Sequence, residues 1–235
     1  MIVFNGISSD DVGVIVERFP HVNRPARKFE NVSVPGRNGD LHFAQNAWEN
    51  VSQEYEIFFK SPRGALSQKA RTVAEWIYSA DSYARLEDSY DPDIFRMAVV
   101  ETETDIENAM NKFGRATVTF NCKPQRWLKR GEYALPLFEE YGSVFNPTRF
   151  DALPLITVHG NGAGALNVGD YIVNISNIDE YVILDSETQN AYKHALNKNN
   201  TISAPEFPKI GKGETEITWS GCIESVEIVP RWWTI

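Results

Sequence analysis

The stretch "SVPGRNGDLHF", Ser33 to Phe43, sets a turn between two alternating runs and loads that turn with Arg37, Asn38 and Asp40. Gly36 and Gly39 supply the backbone freedom that a tight reversal needs, and Pro35 marks the end of the preceding strand. "FENVSV" before the turn and "DLHF" after it alternate as strands do, so the stretch reads as the tip of a β-hairpin over about 28–55. Its arms are unusually polar for core strands, and "NRPARK" and "QNAWENVSQ" flank it. A hairpin of that composition is expected to project from its domain.

Around the hairpin, "VGVIVERF" (Val12 to Phe19) and "QEYEIFFK" (Gln53 to Lys60) alternate closely enough to be strands with one buried face. The period then changes. In "PRGALSQKARTVAEWIYSA" Leu66, Ala70, Val73 and Ile77 recur at the spacing of one buried helical stripe, which predicts a helix over about 63–80 with Lys69 and Arg71 on its solvated side. "YARLED", "IFRMAVV" and "GRATVTFNC" follow as three more strands. Residues 1–132 are thus expected to form a first domain, a sandwich or split-barrel-like sheet with one helix and the hairpin. Pro-punctuated, irregular sequence over 133–152 reads as a linker. After it, "LITVHG", "GALNVG", "YIVNIS", "YVILD", "EITWSG" and "ESVEIVP" are short runs between turn signals, which predicts a small β-sandwich over 153–235. The fold class is mainly β.

Composition supports a folded protein: 235 residues, 42% of them hydrophobic, suffice for one large or two modest cores. The amino-terminal segment meets Asp10 and Asp11 before any long apolar run and lacks a basic start, so no signal peptide is expected; no stretch is long enough for a membrane helix, and a soluble chain is expected. Cys122 and Cys222 are too far apart for a metal spacing or a disulfide framework, and both are expected as buried thiols in a reducing compartment. Without secretion, the sequons at Asn31, Asn50, Asn174 and Asn199 carry no meaning. A formal net charge of −9 argues against gripping nucleic acid through its phosphates. Residues 135–235 hold 6 Lys and Arg against 13 Asp and Glu, so most of the acidity lies there.

Chemistry-bearing patterns are weak. His21, His42, His159 and His194 have no companion at ligand spacing, so no metal or cofactor is expected. "HGNGAGAL" (159–166) lacks both the GxGxxG spacing and a GK[ST] ending, and is expected to be a turn. No GxSxG elbow is present, and the neighbouring acids Glu139 with Glu140, Asp179 with Glu180, and Asp185 with Glu187 read as solvated faces. No catalytic centre is expected. Trp219, Trp232 and Trp233 fit a core or an interface, with a glycan-stacking or partner-binding face as the alternative.

Taken together, "FNGISSDDVGVIV" with the "VPGRNG" hairpin, "EYEIFF" before the helix, "RATVTFNCKPQRW", "LPLITVHGNGAGALNVGDYIVNI", "EYVILDSETQNAY" and "PEFPKIGKGETEITWSG" resemble the distal tail protein (Dit) family of long, non-contractile-tailed bacteriophages. The resemblance implies a non-enzymatic virion protein, assembled in the host cytoplasm, whose first domain forms a hexameric ring at the tail tip. It implies that the hairpin around Pro35, Gly36, Arg37, Asn38, Gly39 and Asp40 reaches the neighbouring subunit. It further implies a galectin-like or carbohydrate-binding-type sandwich as second domain, used as a platform. The implied partners are the tube protein, the baseplate hub or tail-associated lysin, and receptor-binding or fibre proteins, with DNA passing through unbound. An unpaired hairpin edge that finds a second chain agrees with this, since a head-to-tail contact repeated around a ring closes. The other reading is a carbohydrate-binding adhesion module that contacts the host wall.

Overall fold

The computed structural model describes residues 1–101, 104, 107–109 and 112–235. The chain divides into two compact units, Met1–Arg126 with Ile235, and Trp127–Thr234.

The first unit contains β1 (Ile2–Phe4), β2 (Ile7–Ser8), β3 (Val14–Val16), β4 (Arg27–Val32), β5 (Leu41–Trp48) and β6 (Val51–Lys60). The helix α1 (Leu66–Ile77) precedes β7 (Ala84–Asp88), β8 (Ile94–Val99), β9 (Glu107–Ala109) and β10 (Phe113–Cys122). A curled sheet runs in the order β2-β1-β7-β8-β10-β6-β3, with β9 on β10. Its spine is the antiparallel pair β6 and β10, in register from Val51 opposite Cys122 to Lys60 opposite Phe113. Alternation along both strands puts Tyr55, Ile57, Phe59, Ala116, Val118 and Phe120 on one buried face. Leu66, Val73, Trp76 and Ile77 of α1 join that core, and the Trp76 indole N–H donates to the Ile7 carbonyl at 3.1 Å. Trp76 completes the apolar stripe predicted from Leu66, Ala70, Val73 and Ile77. Lys69, expected in solvent, is half-buried and its ammonium lies over Gly13.

The second unit begins with β11 (Arg126–Leu128), the boundary strand, and continues with β12 (Leu135–Leu137), β13 (Tyr141–Asn146), β14 (Leu155–Val168) and β15 (Tyr171–Asp185). Then come β16 (Asn190–Lys193), β17 (Leu196–Asn197), β18 (Ile202–Ser203), β19 (Gly213–Val229) and β20 (Trp233–Thr234). The sheet order is β12-β19-β14-β15-β16-β17, with β13 also on β19 and β18 on β15; β20 pairs with β11 outside this sheet. Residues 133–152, expected as a linker, instead supply β12 and β13, whose antiparallel ladders with β19 make them edge strands of the sandwich.

The six short strands expected here are three long ones. "LITVHG" and "GALNVG" form β14, "YIVNIS" and "YVILD" form β15, and "EITWSG" and "ESVEIVP" form β19. "HGNGAGAL", expected as a turn, is the middle of β14, where its ladders slip between His159 and Gly164. Glycine permits that bulge: Gly221 holds φ +82°, and a Cβ on it would stand 2.6 Å from the Ala163 carbonyl oxygen. Wrapped by these bent strands is one core containing Ile156, Val158, Leu166, Val182, Ile217 and Val226.

Candidate assembly surface

The turn at the hairpin tip is built from local sequence. The Arg37 amide donates to the Val34 carbonyl at 3.1 Å, which closes a four-residue turn with Pro35 second and Gly36 third. Gly36 at φ +81° makes it a type II turn, the geometry that favours proline followed by glycine. Arg37, Asn38 and Asp40 are exposed, and their side chains make no hydrogen bond or ion pair among the described residues.

The arms are β4 and β5, which among the described residues pair only with each other, leaving both outer edges without a strand partner. Phe29 faces Ala44 and Asn31 faces His42 on one side; Glu30 faces Phe43 and Val32 faces Leu41 on the other. On the first side the Phe29 and His42 rings lie 4.1 Å apart and His42 Nδ1 is 2.6 Å from Asn31 Oδ1. On the second, Val32, Leu41 and Phe43 make an apolar cluster. Phe43 is 52% exposed, Phe29 45%, Val32 39% and Val34 36%, values typical of side chains awaiting a partner. Sequence reading noticed the polar residues and missed these four. The available signal was that apolar residues fall on both faces, which a strand with one buried face does not show.

The root of the hairpin is tied down. Glu49 N–H donates to the Ala26 carbonyl at 2.8 Å, Asn23 Nδ2 to Ser52 O at 2.6 Å, Gln53 Nε2 to His21 O at 3.0 Å, and the Arg126 guanidinium to Asn23 O. Burial, with the positive charge of Arg96 as the next cause, brings Arg126 down to about 10. At the same root, Arg27 covers the Trp48 ring at 4.8 Å. A fixed root thus carries an uncovered pair of arms.

Other groups singled out in the sequence have structural explanations. Trp219 and Trp232 are each 4% exposed and belong to the second core, so neither offers a ring face to a sugar. Trp233 is half-buried, stacks on Phe150 at 4.4 Å and donates its indole N–H to Asp151 O at 2.9 Å. Cys122 is buried, and burial pushes its thiol up to about 12. Cys222, expected as buried, is exposed, because Trp219 and Ile223 point inward and alternation turns residue 222 outward. Asp179 and Glu180 share Lys193 at 3.2 and 3.0 Å. Asp185 and Glu187 share Arg231 at 2.6 and 3.4 Å. Burial alone raises the Asp185 carboxyl, but the Arg231 hydrogen bond and charge bring it below the ordinary value. His194 meets the Tyr181 hydroxyl at 3.0 Å. No group of three or more His, Cys, Asp or Glu among the described residues is placed to hold a metal.

One buried polar cluster lies beneath the first sheet. The Tyr55 hydroxyl donates to Asp88 Oδ2 at 2.8 Å, Arg96 reaches the same oxygen at 3.2 Å, and Asp88 Oδ1 accepts the Tyr90 and Asp91 amides. Desolvation, then the neighbouring Asp88 charge, raises the Tyr55 phenol far above its ordinary range. Every member is satisfied, and the cluster ties β6, β7 and β8 together.

Residues 10–122, which include the hairpin, match the family model of the phage tail protein RIFT-related domain. Across the whole chain the fold is similar to that of the distal tail protein Dit of phage SPP1, with a TM-score of 0.78 at 9% identity, covering 100% of this chain and 98% of that one. That protein is described as a paradigm of the hub adsorption apparatus in phages infecting Gram-positive hosts. Two structures of the phage P2 baseplate in its activated conformation, with Ca and with Sr, cover 92% of this chain and 90% of theirs at 10% identity, with TM-scores of 0.48 and 0.49. No curated protein matches the chain. The resemblance to the distal tail family agrees with the family-model match over 10–122 and with the fold of the whole chain.

Proposed function

We propose that this protein is a structural phage tail component that forms a hexameric ring at the distal end of a siphophage tail, as a non-enzymatic hub that joins the tube to the baseplate and to receptor-binding or fibre proteins. The observation that carries the proposal is the β4–β5 hairpin: exposed on both faces, apolar as well as polar, open at both edges and anchored only at its root. An isolated two-stranded hairpin gains little stability in water. Against the adjoining subunit it would gain strand or side-chain contacts, and the same contact repeated head to tail closes a ring. Pro35, Gly36, Arg37, Asn38, Gly39 and Asp40 form the tip of this contact. DNA would pass through the ring unbound, in keeping with the net charge of −9, since phosphate contacts would retard it. The second unit would lie outside the lumen as a platform.

The reading as a sugar-binding adhesin loses its main support with Trp219 and Trp232 in the core. Light scattering coupled to size exclusion, across a range of concentrations, tests the ring. A mass six times 26.6 kDa is expected, and a chain that stays monomeric both alone and with tube or hub protein added would refute it.

A further inference from the structure

The second unit carries an edge of a different kind. β13, "YGSVFN" from Tyr141 to Asn146, pairs along one side with β19 and with no second strand among the described residues. Protein sheets blunt their edges with short strands, proline or charge. The other edges of this sheet follow that rule: β17 is two residues long, and β12 is "LPL" with Pro136 at its centre. β13 has six residues, no proline and no charge. Tyr141 and Phe145 stand on its outward face, 66% and 67% exposed. Opposite them in register are Thr218 and Glu214, with Glu216 opposite Ser143 between them. Glu139 and Glu140 precede the strand. An aromatic, uncharged edge is therefore framed by carboxylates, in a segment where acids outnumber bases by 13 to 6.

We propose that β13 is the docking edge for an extended segment of another protein, which adds to the sheet as a further strand. Main-chain hydrogen bonds to β13 would hold it, apolar side chains would cover Tyr141 and Phe145, and intervening Lys or Arg residues would meet Glu214, Glu216 and the acids before the strand. Charge complementarity selects a basic partner over a second copy of this acidic chain. The proposal rests on the platform role given above to the second unit, and names the surface that performs it.

The test uses the full-length protein and a short synthetic peptide of alternating valine and lysine, with a valine–glutamate peptide as control. Titration calorimetry and amide hydrogen exchange should show binding of the lysine peptide, with new protection confined to 141–146. Tyr141→Lys with Phe145→Lys, both at exposed positions, should keep the circular dichroism and melting temperature and weaken binding by about tenfold or more. No binding, equal binding of the glutamate peptide, binding unchanged in the double variant, or self-association through β13 in place of peptide binding would each overturn the proposal. Scattering mass is read on the same samples. Rings that ignore the peptide refute only the docking edge; peptide binding by a chain that stays monomeric even with tube or hub protein added refutes only the ring.

Discussion

Two antiparallel pairs in the first unit, β6 with β10 and β4 with β5, meet opposite fates. Along β6 and β10 the apolar residues alternate, and one face is covered by the helix and the core. Along β4 and β5 the apolar residues fall on both faces, and almost every position is exposed. The first pair has its partner within the unit, while among the described residues the second has no further strand on either edge and its side chains stay exposed. Strand-forming sequence alone does not make a core; what matters is whether the apolar residues gather on one face.

The largest contrast is expected at the buried cluster under the first pair. Asp88→Ala leaves Arg96 and the Tyr55 hydroxyl buried without their common acceptor, and should cost about 3–5 kcal/mol in a denaturant melt. Phe120→Ala, which empties space between Phe4 and Tyr55, should cost about 3–5 kcal/mol by the same measurement. At the hairpin root the expected loss is smaller: Asn23→Ala removes the hydrogen bond to Ser52 and should cost about 1 kcal/mol. Smallest of all, Phe43→Ala on the exposed arm should change the stability of the monomer by less than about 0.5 kcal/mol. The same variant should weaken assembly measured by sedimentation. A Phe43→Ala melt as damaged as that of Phe120→Ala would erase the distinction between the two pairs.

Much of this was legible in sequence because period survives without context. The switch from "QEYEIFFK" to "ALSQKARTVAEWI" marks a strand and then a helix, and Pro35-Gly36 dictates the turn type locally. The second unit was less legible, since glycine signals a turn and a bulge alike. In "HGNGAGAL" the glycines let β14 and β19 approach and slip register without reversing the chain. For Trp219 and Trp232 the sequence favoured a core or an interface and left a displayed face as the alternative, because whether an aromatic is covered depends on strands distant in sequence. The exposed Phe29, Val32, Val34 and Phe43 became visible only once the register had set which of them share a face.

The most direct test of the central claim replaces 34–40 by a two-residue turn and compares the solution mass of that variant with that of the intact protein under conditions where the intact protein forms rings. The variant should be a folded monomer of unchanged secondary structure, because among the described residues the side chains of Arg37, Asn38 and Asp40 make no hydrogen bond or ion pair. Rings of full mass from the shortened hairpin would contradict its role in assembly.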